Sequence, residues 1–232
     1  MATYDALQAL QSIEQNIGYI AIGGAIAGIL TFVYFWESIR CGLRDRSFSS
    51  PMVATIWFLP HDFSFVLEYD KWFNVYNHWW CKAWWVGLVA TVCLEIYLVW
   101  QIIRFGREEL MPHLSQKAFT WAILGATFGA GVIWFVIKGS MDDELFFTSF
   151  LITIVWPIPF TTAQLLRRKT RRGTSVLQQG VLLPMYLGLW AALCFIDPFF
   201  RSPTFIVLTA TVAVWALFNL KLVRSLPEYK LA

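Results

Sequence analysis

Seven runs of apolar residues alternate along the chain with short polar connections, at about 17–37, 51–69, 81–103, 118–138, 145–166, 179–197 and 204–223. A helix needs about 20 mainly apolar residues to cross a bilayer, and each run is about that long. Little chain remains for a soluble domain. The pattern predicts an all-α fold: an integral membrane seven-helix bundle that occupies residues 1–232 as a single domain.

Composition agrees with the pattern. The 232 residues are 58% hydrophobic and 14% charged, with 13 Trp and 20 Phe, far more apolar than a soluble domain of this size. Residues 1–16 carry Asp5 and Glu14 and no basic stretch ahead of a small-residue cleavage site, so no removable signal peptide is expected. Cys41, Cys81, Cys93 and Cys194 are scattered without a metal-ligand or disulfide spacing and read as small packing residues.

Charge sets the expected orientation. Arg40, Arg44, Arg46, Arg104, Arg107, Lys117, Arg167, Arg168, Lys169, Arg171, Arg172, Lys221, Arg224 and Lys230 fall on one side of the predicted bundle, 14 of the 18 basic residues. The positive-inside rule then puts the N-terminus outside and the C-terminus in the cytoplasm, in a bacterial plasma membrane or the endoplasmic reticulum. Topology accounts for the net charge of +3, so no nucleic-acid partner is expected.

The second span carries the candidate chemistry. His61 and Asp62 follow Pro60 in an otherwise apolar and aromatic run. An acid near mid-bilayer costs about 2.5–3.5 kcal/mol on insertion scales, so such acids face protein or a cavity and mark function. Pro60 removes an internal helical hydrogen bond and is expected to kink or open the helix beside the acid. Trp57, Phe58, Phe65 and Tyr69 flank Asp62 at helical spacing, and Trp84 and Trp156 are further rings for the same cavity. Glu95 in span three is the second membrane acid; two buried carboxyls in one chamber are expected to keep a proton between them. Trp156-Pro-Ile-Pro159 must break span five.

Other features read more plainly. Gly24 with Gly28, and Gly125, Gly129 and Gly131, read as helix-packing faces. Glu37 reads as a solvated partner of nearby arginines. Asp142, Asp143 and Glu144 read as a solvated helix N-terminus, and Asp197 as a helix-end residue first and a site residue second.

Several short motifs carry a resemblance. Ile39-Arg40, Asp45-Arg46-Ser47, Pro51-Met-Val-Ala54, Leu94-Glu95, Arg104-Phe-Gly106, Gln164-Leu-Leu-Arg-Arg-Lys-Thr170 and Arg172-Gly-Thr-Ser175 resemble motifs of the membrane-bound terpene cyclases of fungal meroterpenoid and indole-diterpene pathways and of their bacterial relatives. The similarity runs from about residue 20 to 190. It implies a seven-helix bundle that protonates an alkene or epoxide of a prenylated substrate, such as a farnesylated or geranylgeranylated indole, and guides cationic ring closure. The family's helix-two acid corresponds to Asp62 and its helix-three acid to Glu95. His61 stands where the family usually has Trp, and Asn219 is the nearest residue to its last-helix acid.

The residues fit that chemistry. Protonating an alkene calls for a carboxylic acid kept neutral by burial, and the ensuing cations need a dry pocket lined by π faces. His61 either orients Asp62 and resets its proton or caps a carbonyl freed by Pro60. No acidic magnesium cluster is present, and no cofactor or metal is expected. The expected partners are a prenylated small molecule and membrane lipid; oligomeric state is not legible. A small seven-helix transporter with a midplane acid is the main rival. A retinal-type photoreceptor would need a lysine in mid-span seven, whereas Lys221 lies near its basic end. A purely structural membrane subunit would leave Asp62 replaceable.

Overall fold

The computed structural model describes residues 4–230. The helices are α1 (Ala6–Gln15), α2 (Ile17–Arg44), α3 (Met52–Val66), α4 (Trp79–Phe105), α5 (Arg107–Leu110), α6 (Gln116–Ser140), α7 (Phe147–Val155), α8 (Pro157–Arg168), α9 (Val176–Ile196) and α10 (Pro203–Ser225). No β-strand occurs among the described residues. Six segments are long and apolar enough to cross a membrane: α2, α4, α6, α7 with α8, α9 and α10. The chain is therefore a multi-span helical integral membrane protein.

Helix ends follow local chemistry. The side chains of Asp5, Ser115 and Ser175 accept from the backbone N–H groups of Gln8, Ala118 and Gln178 and so cap α1, α6 and α9. Proline opens α8 and α10, where a missing N–H leaves nothing unpaired. The predicted break in span five is present at Trp156. Pro157 and Pro159 have no N–H to offer the carbonyls of Thr153 and Val155, and the chain restarts as α8.

α3 departs from expectation in two ways. It is 15 residues long, about 22 Å at 1.5 Å per residue, and gives way to a turn and a π-helical turn at Lys71–Val75. Nor is it opened at Pro60, because helix continues through His61 and Asp62 to Val66. Gly131 of α6 makes room for the proline ring, since a Cβ there would lie 3.2 Å from Pro60 Cβ.

A close helix approach also lies elsewhere than predicted. α2 meets α9 at Gly23 and Gly188, where a Cβ on Gly23 would stand 2.6 Å from the Gly188 carbonyl oxygen. Gly24 instead receives the Trp80 ring, and a Cβ on Gly28, Gly125 or Gly129 would meet nothing within 4 Å. Gly28, Gly125 and Gly129 are therefore not a helix–helix seam; of the predicted faces, Gly131 packs on Pro60 of α3 and Gly24 on Trp80 of α4.

Polar clusters tie the two ends of the bundle. At the α1 end, the Tyr4 hydroxyl donates to Asp143 Oδ1 (2.7 Å), and the same carboxylate accepts from Ser149 N (2.7 Å), Ser149 Oγ (2.5 Å) and Thr148 N (3.1 Å). Asp143 is thus a buried anchor for the start of α7 and not a solvated loop acid. Burial, and then the neighbouring carboxylate, push the Tyr4 phenol pKa up, so it stays a donor. At the basic end, Glu37 is buried and pairs with Arg40 at 2.6 Å, which corrects the expectation of a solvated partner. Asp45 accepts from Arg44 and from Gly173 N (2.7 Å), and Glu109 holds the buried Arg168 guanidinium (2.9 Å). Gly173 has φ +73°, and a Cβ there would lie 2.7 Å from the Phe48 carbonyl oxygen.

Candidate functional site

α3 carries Asp62 into the centre of the bundle, where both carboxylate oxygens are engaged. Oδ1 lies 2.8 Å from His61 Nδ1, and Oδ2 accepts from the Thr91 hydroxyl of α4 at 2.7 Å. The far nitrogen of His61, Nε2, is 2.9 Å from the Thr153 hydroxyl of α7. A chain of polar contacts therefore runs from α4 through the acid and its neighbouring imidazole to the broken span five.

The imidazole is fully buried and held by rings. Trp134 and Phe146 lie 4.5 and 4.8 Å from it between centroids, and Phe65 lies 5.9 Å away. Phe146 adopts a left-handed backbone, φ 72°, unusual for a bulky side chain. That conformation turns the chain into α7 while the Phe146 ring packs on Phe65 at 4.1 Å. Ser64 donates to the His61 carbonyl and accepts from Trp134 Nε1, each at 2.7 Å, which fixes the same turn.

Asp62 stands where two cavities meet. One, of about 50 Å³, is lined by Glu95, Tyr34, Phe58, Phe150 and Thr153. The other, of about 380 Å³, lies between α2 and α4 and is lined by Gly24, Gly28, Trp80, Trp84 and Gly87. Asp62, Thr31, Thr91 and Phe150 border both. The Glu95 carboxyl lies against that of Asp62, and its Oε2 has no hydrogen-bond partner.

The structure thus brings together Asp62, His61, Glu95, Phe58 and Trp84 from the sequence reading. It sets the others apart. Trp57 packs on Trp134 and Trp156 away from both cavities, and Trp156 is partly exposed. Phe65 lies beneath the Lys138 ammonium, 4.3 Å away, in the packing behind His61. Tyr69 is exposed and stacks on Phe73. Asp197 caps the turn Pro198–Arg201 by accepting from Phe199 N, and Asn219, buried, bonds Thr162 and the Ile158 carbonyl.

Thr91 and Thr153 were missed by sequence reasoning. Thr91 sits one turn before Glu95, so its place on the same helix face was legible once Glu95 was chosen. Thr153 gave no such signal, because its distance to His61 depends on how α7 packs. Against known protein families, curated proteins and solved structures, the chain finds no match.

Proposed function

We propose that this protein is a membrane terpene cyclase that protonates an alkene or epoxide of a prenylated substrate and directs cationic cyclisation, with Asp62 as the general acid. The observation that carries the proposal is a buried carboxyl in a membrane protein, held by His61 and Thr91, that opens onto ring-lined space. α3 would complete a seventh span, with the N-terminus outside and the basic end in the cytoplasm.

The chemistry follows from the surroundings. The Asp62 proton passes to the alkene carbon or epoxide oxygen, leaving a carbocation. The electron pair of a neighbouring alkene closes a ring, and loss of a proton to a carboxylate ends the sequence with no change in mass. Glu95, with a free oxygen beside Asp62, is placed to share the proton before reaction and to take one back. Phe58, Phe150 and Trp84 offer π faces to the intermediate, each such contact worth about 2 kcal/mol when desolvated. His61 is a positioning residue, since its ring is buried behind the acid.

Membranes containing the protein, incubated with a farnesylated or geranylgeranylated indole, are expected to give a cyclic isomer that gains deuterium in heavy water. Asp62→Asn should abolish it. Equal product from that variant removes Asp62 from the mechanism. Flux of an unaltered solute across sealed vesicles, with no isomer formed, would instead establish a transporter.

A further inference from the structure

A polar cavity of about 170 Å³ lies at the α1 end of the bundle, apart from the two that meet at Asp62. The carboxylates of Glu68, Asp142, Asp143 and Glu144 and the ammonium groups of Lys71 and Lys138 belong to the residues that border it. Lys71 pairs with Glu144 at 2.9 Å, and Lys138 with Glu68 at 2.7 Å. Asp142 is exposed, and the side chains of Lys71 and Glu144 are 36% and 39% exposed, so the rim of the cavity is in water. Asp143 and Ser149 border the same cavity but are buried, and the Ser149 hydroxyl donates to the Asp143 carboxylate.

Two further residues of its wall, Phe65 and Trp134, are also rings that cover His61. The charged cavity and the imidazole therefore lie on two sides of the same rings. Hydroxyl groups offer a way past them. Ser149 and Thr153 are four residues apart in α7, on one helix face and about 6 Å apart along its axis, a span that one bridging water covers. Thr153 also borders the cavity of about 50 Å³, which exceeds the roughly 30 Å³ share of one water. Beyond Thr153 each contact is direct: its hydroxyl is 2.9 Å from His61 Nε2, and His61 Nδ1 is 2.8 Å from Asp62. Asp62 is the charged group that touches the ring. Trp134, Phe146 and Phe65 around it carry no charge, and Lys138 lies over the Phe65 ring at 4.3 Å.

We propose that Asp143, Ser149, Thr153 and His61 form a proton path from the α1-end cavity to Asp62, with one water between the two hydroxyls. Imidazole suits the last link, because either ring nitrogen can hold the proton while the other accepts one. A proton taken up at Nε2 and one released from Nδ1 to Asp62 leave the ring neutral, with its hydrogen on the other nitrogen. Transfer in the opposite direction restores it, so charge and atoms balance over the exchange. His61 thus holds Asp62 in place and also exchanges its proton with water. The path deepens the cyclase reading, in which the acid must carry a proton before each substrate, and rests on that reading only for the use made of the proton.

The test uses the full chain in nanodiscs and follows the infrared carbonyl band of the protonated carboxyl pair, assigned by its change in Asp62→Asn and Glu95→Gln, as water is exchanged for heavy water. Ser149→Ala and Thr153→Val should each slow the isotope shift by about 10²-fold, the lower end of what a positioned proton donor supplies. His61→Gln, whose amide does not take up a proton, should slow it likewise. Ser149→Thr and Thr153→Ser should restore the rate. Ser50→Ala, at the basic end, and Thr127→Val, on α6, should leave it unchanged. An unchanged rate in folded Ser149→Ala or Thr153→Val overturns the proposal, as does slowing in Ser50→Ala alone, which places proton entry at the opposite end. Absence of the band from the wild type overturns it too. Slowed exchange in these variants, with no cyclised product from the wild type, supports the path and removes the cyclase reading. Cyclisation by the wild type with exchange untouched in the variants does the reverse.

Discussion

The hydroxyl of Thr153 stands 2.9 Å from Nε2 of His61, which joins the acid-bearing helix to the broken fifth span. Because His61 Nδ1 engages Asp62 on its other side, this contact fixes both the tilt of the ring and which nitrogen faces the acid. Thr153→Val removes the hydroxyl and keeps the shape. A net hydrogen bond of about 1–2 kcal/mol is worth a factor of about 5–30, so the proposed cyclisation should slow by that factor while thermal unfolding moves little. Thr153→Ser should restore the rate; equal rates in Val and wild type would show that Thr153 does not position His61.

Gly23 and Gly125 should respond oppositely to the same change. On Gly23 a Cβ would press within 2.6 Å of the Gly188 carbonyl oxygen, where backbone cannot yield. Gly23→Ala should therefore lower the unfolding midpoint in detergent, by about 1–3 kcal/mol of overpacking. Gly125→Ala meets open space and should be neutral or raise stability by up to about 1 kcal/mol through helix propensity.

Arg168 at the basic end is buried and depends on Glu109, which accepts from its Nε and Nη2 at 2.9 and 3.0 Å. Removing one partner strands the other charge. Glu109→Ala should cost about 3–5 kcal/mol, measured by chemical unfolding, whereas Glu108→Ala on the exposed side should fall within about 0.5 kcal/mol.

Tyr4→Phe should loosen the α1 end. The substitution deletes the donor to Asp143 and the acceptor for Leu145 N (2.9 Å), leaving buried groups short of a partner. A loss of about 1–3 kcal/mol is expected, with faster amide exchange at the start of α7 as the local readout.

Much of this protein was settled by sequence alone. The length and spacing of the apolar runs predicted seven membrane-crossing segments, of which six are long and apolar enough in the structure and the run at 51–69 is not, and two prolines determined the break at Trp156, because bilayer thickness and the missing proline N–H act on any chain wherever it packs. A buried place for Asp62 and Glu95 followed from the cost of exposing an acid to lipid. Tertiary structure alone decided which rings line the cavities that meet at Asp62: Phe150 of α7 and Trp80 of α4 do, whereas Trp57 and Tyr69, near in sequence, turn away. It also decided that Gly23 meets the α9 backbone at Gly188, that Gly24 meets only the tip of the Trp80 ring, and that Gly28 faces open space. Periodicity marks the faces of a helix, but the neighbour that meets each face, and how closely, is set by packing among helices distant in the chain.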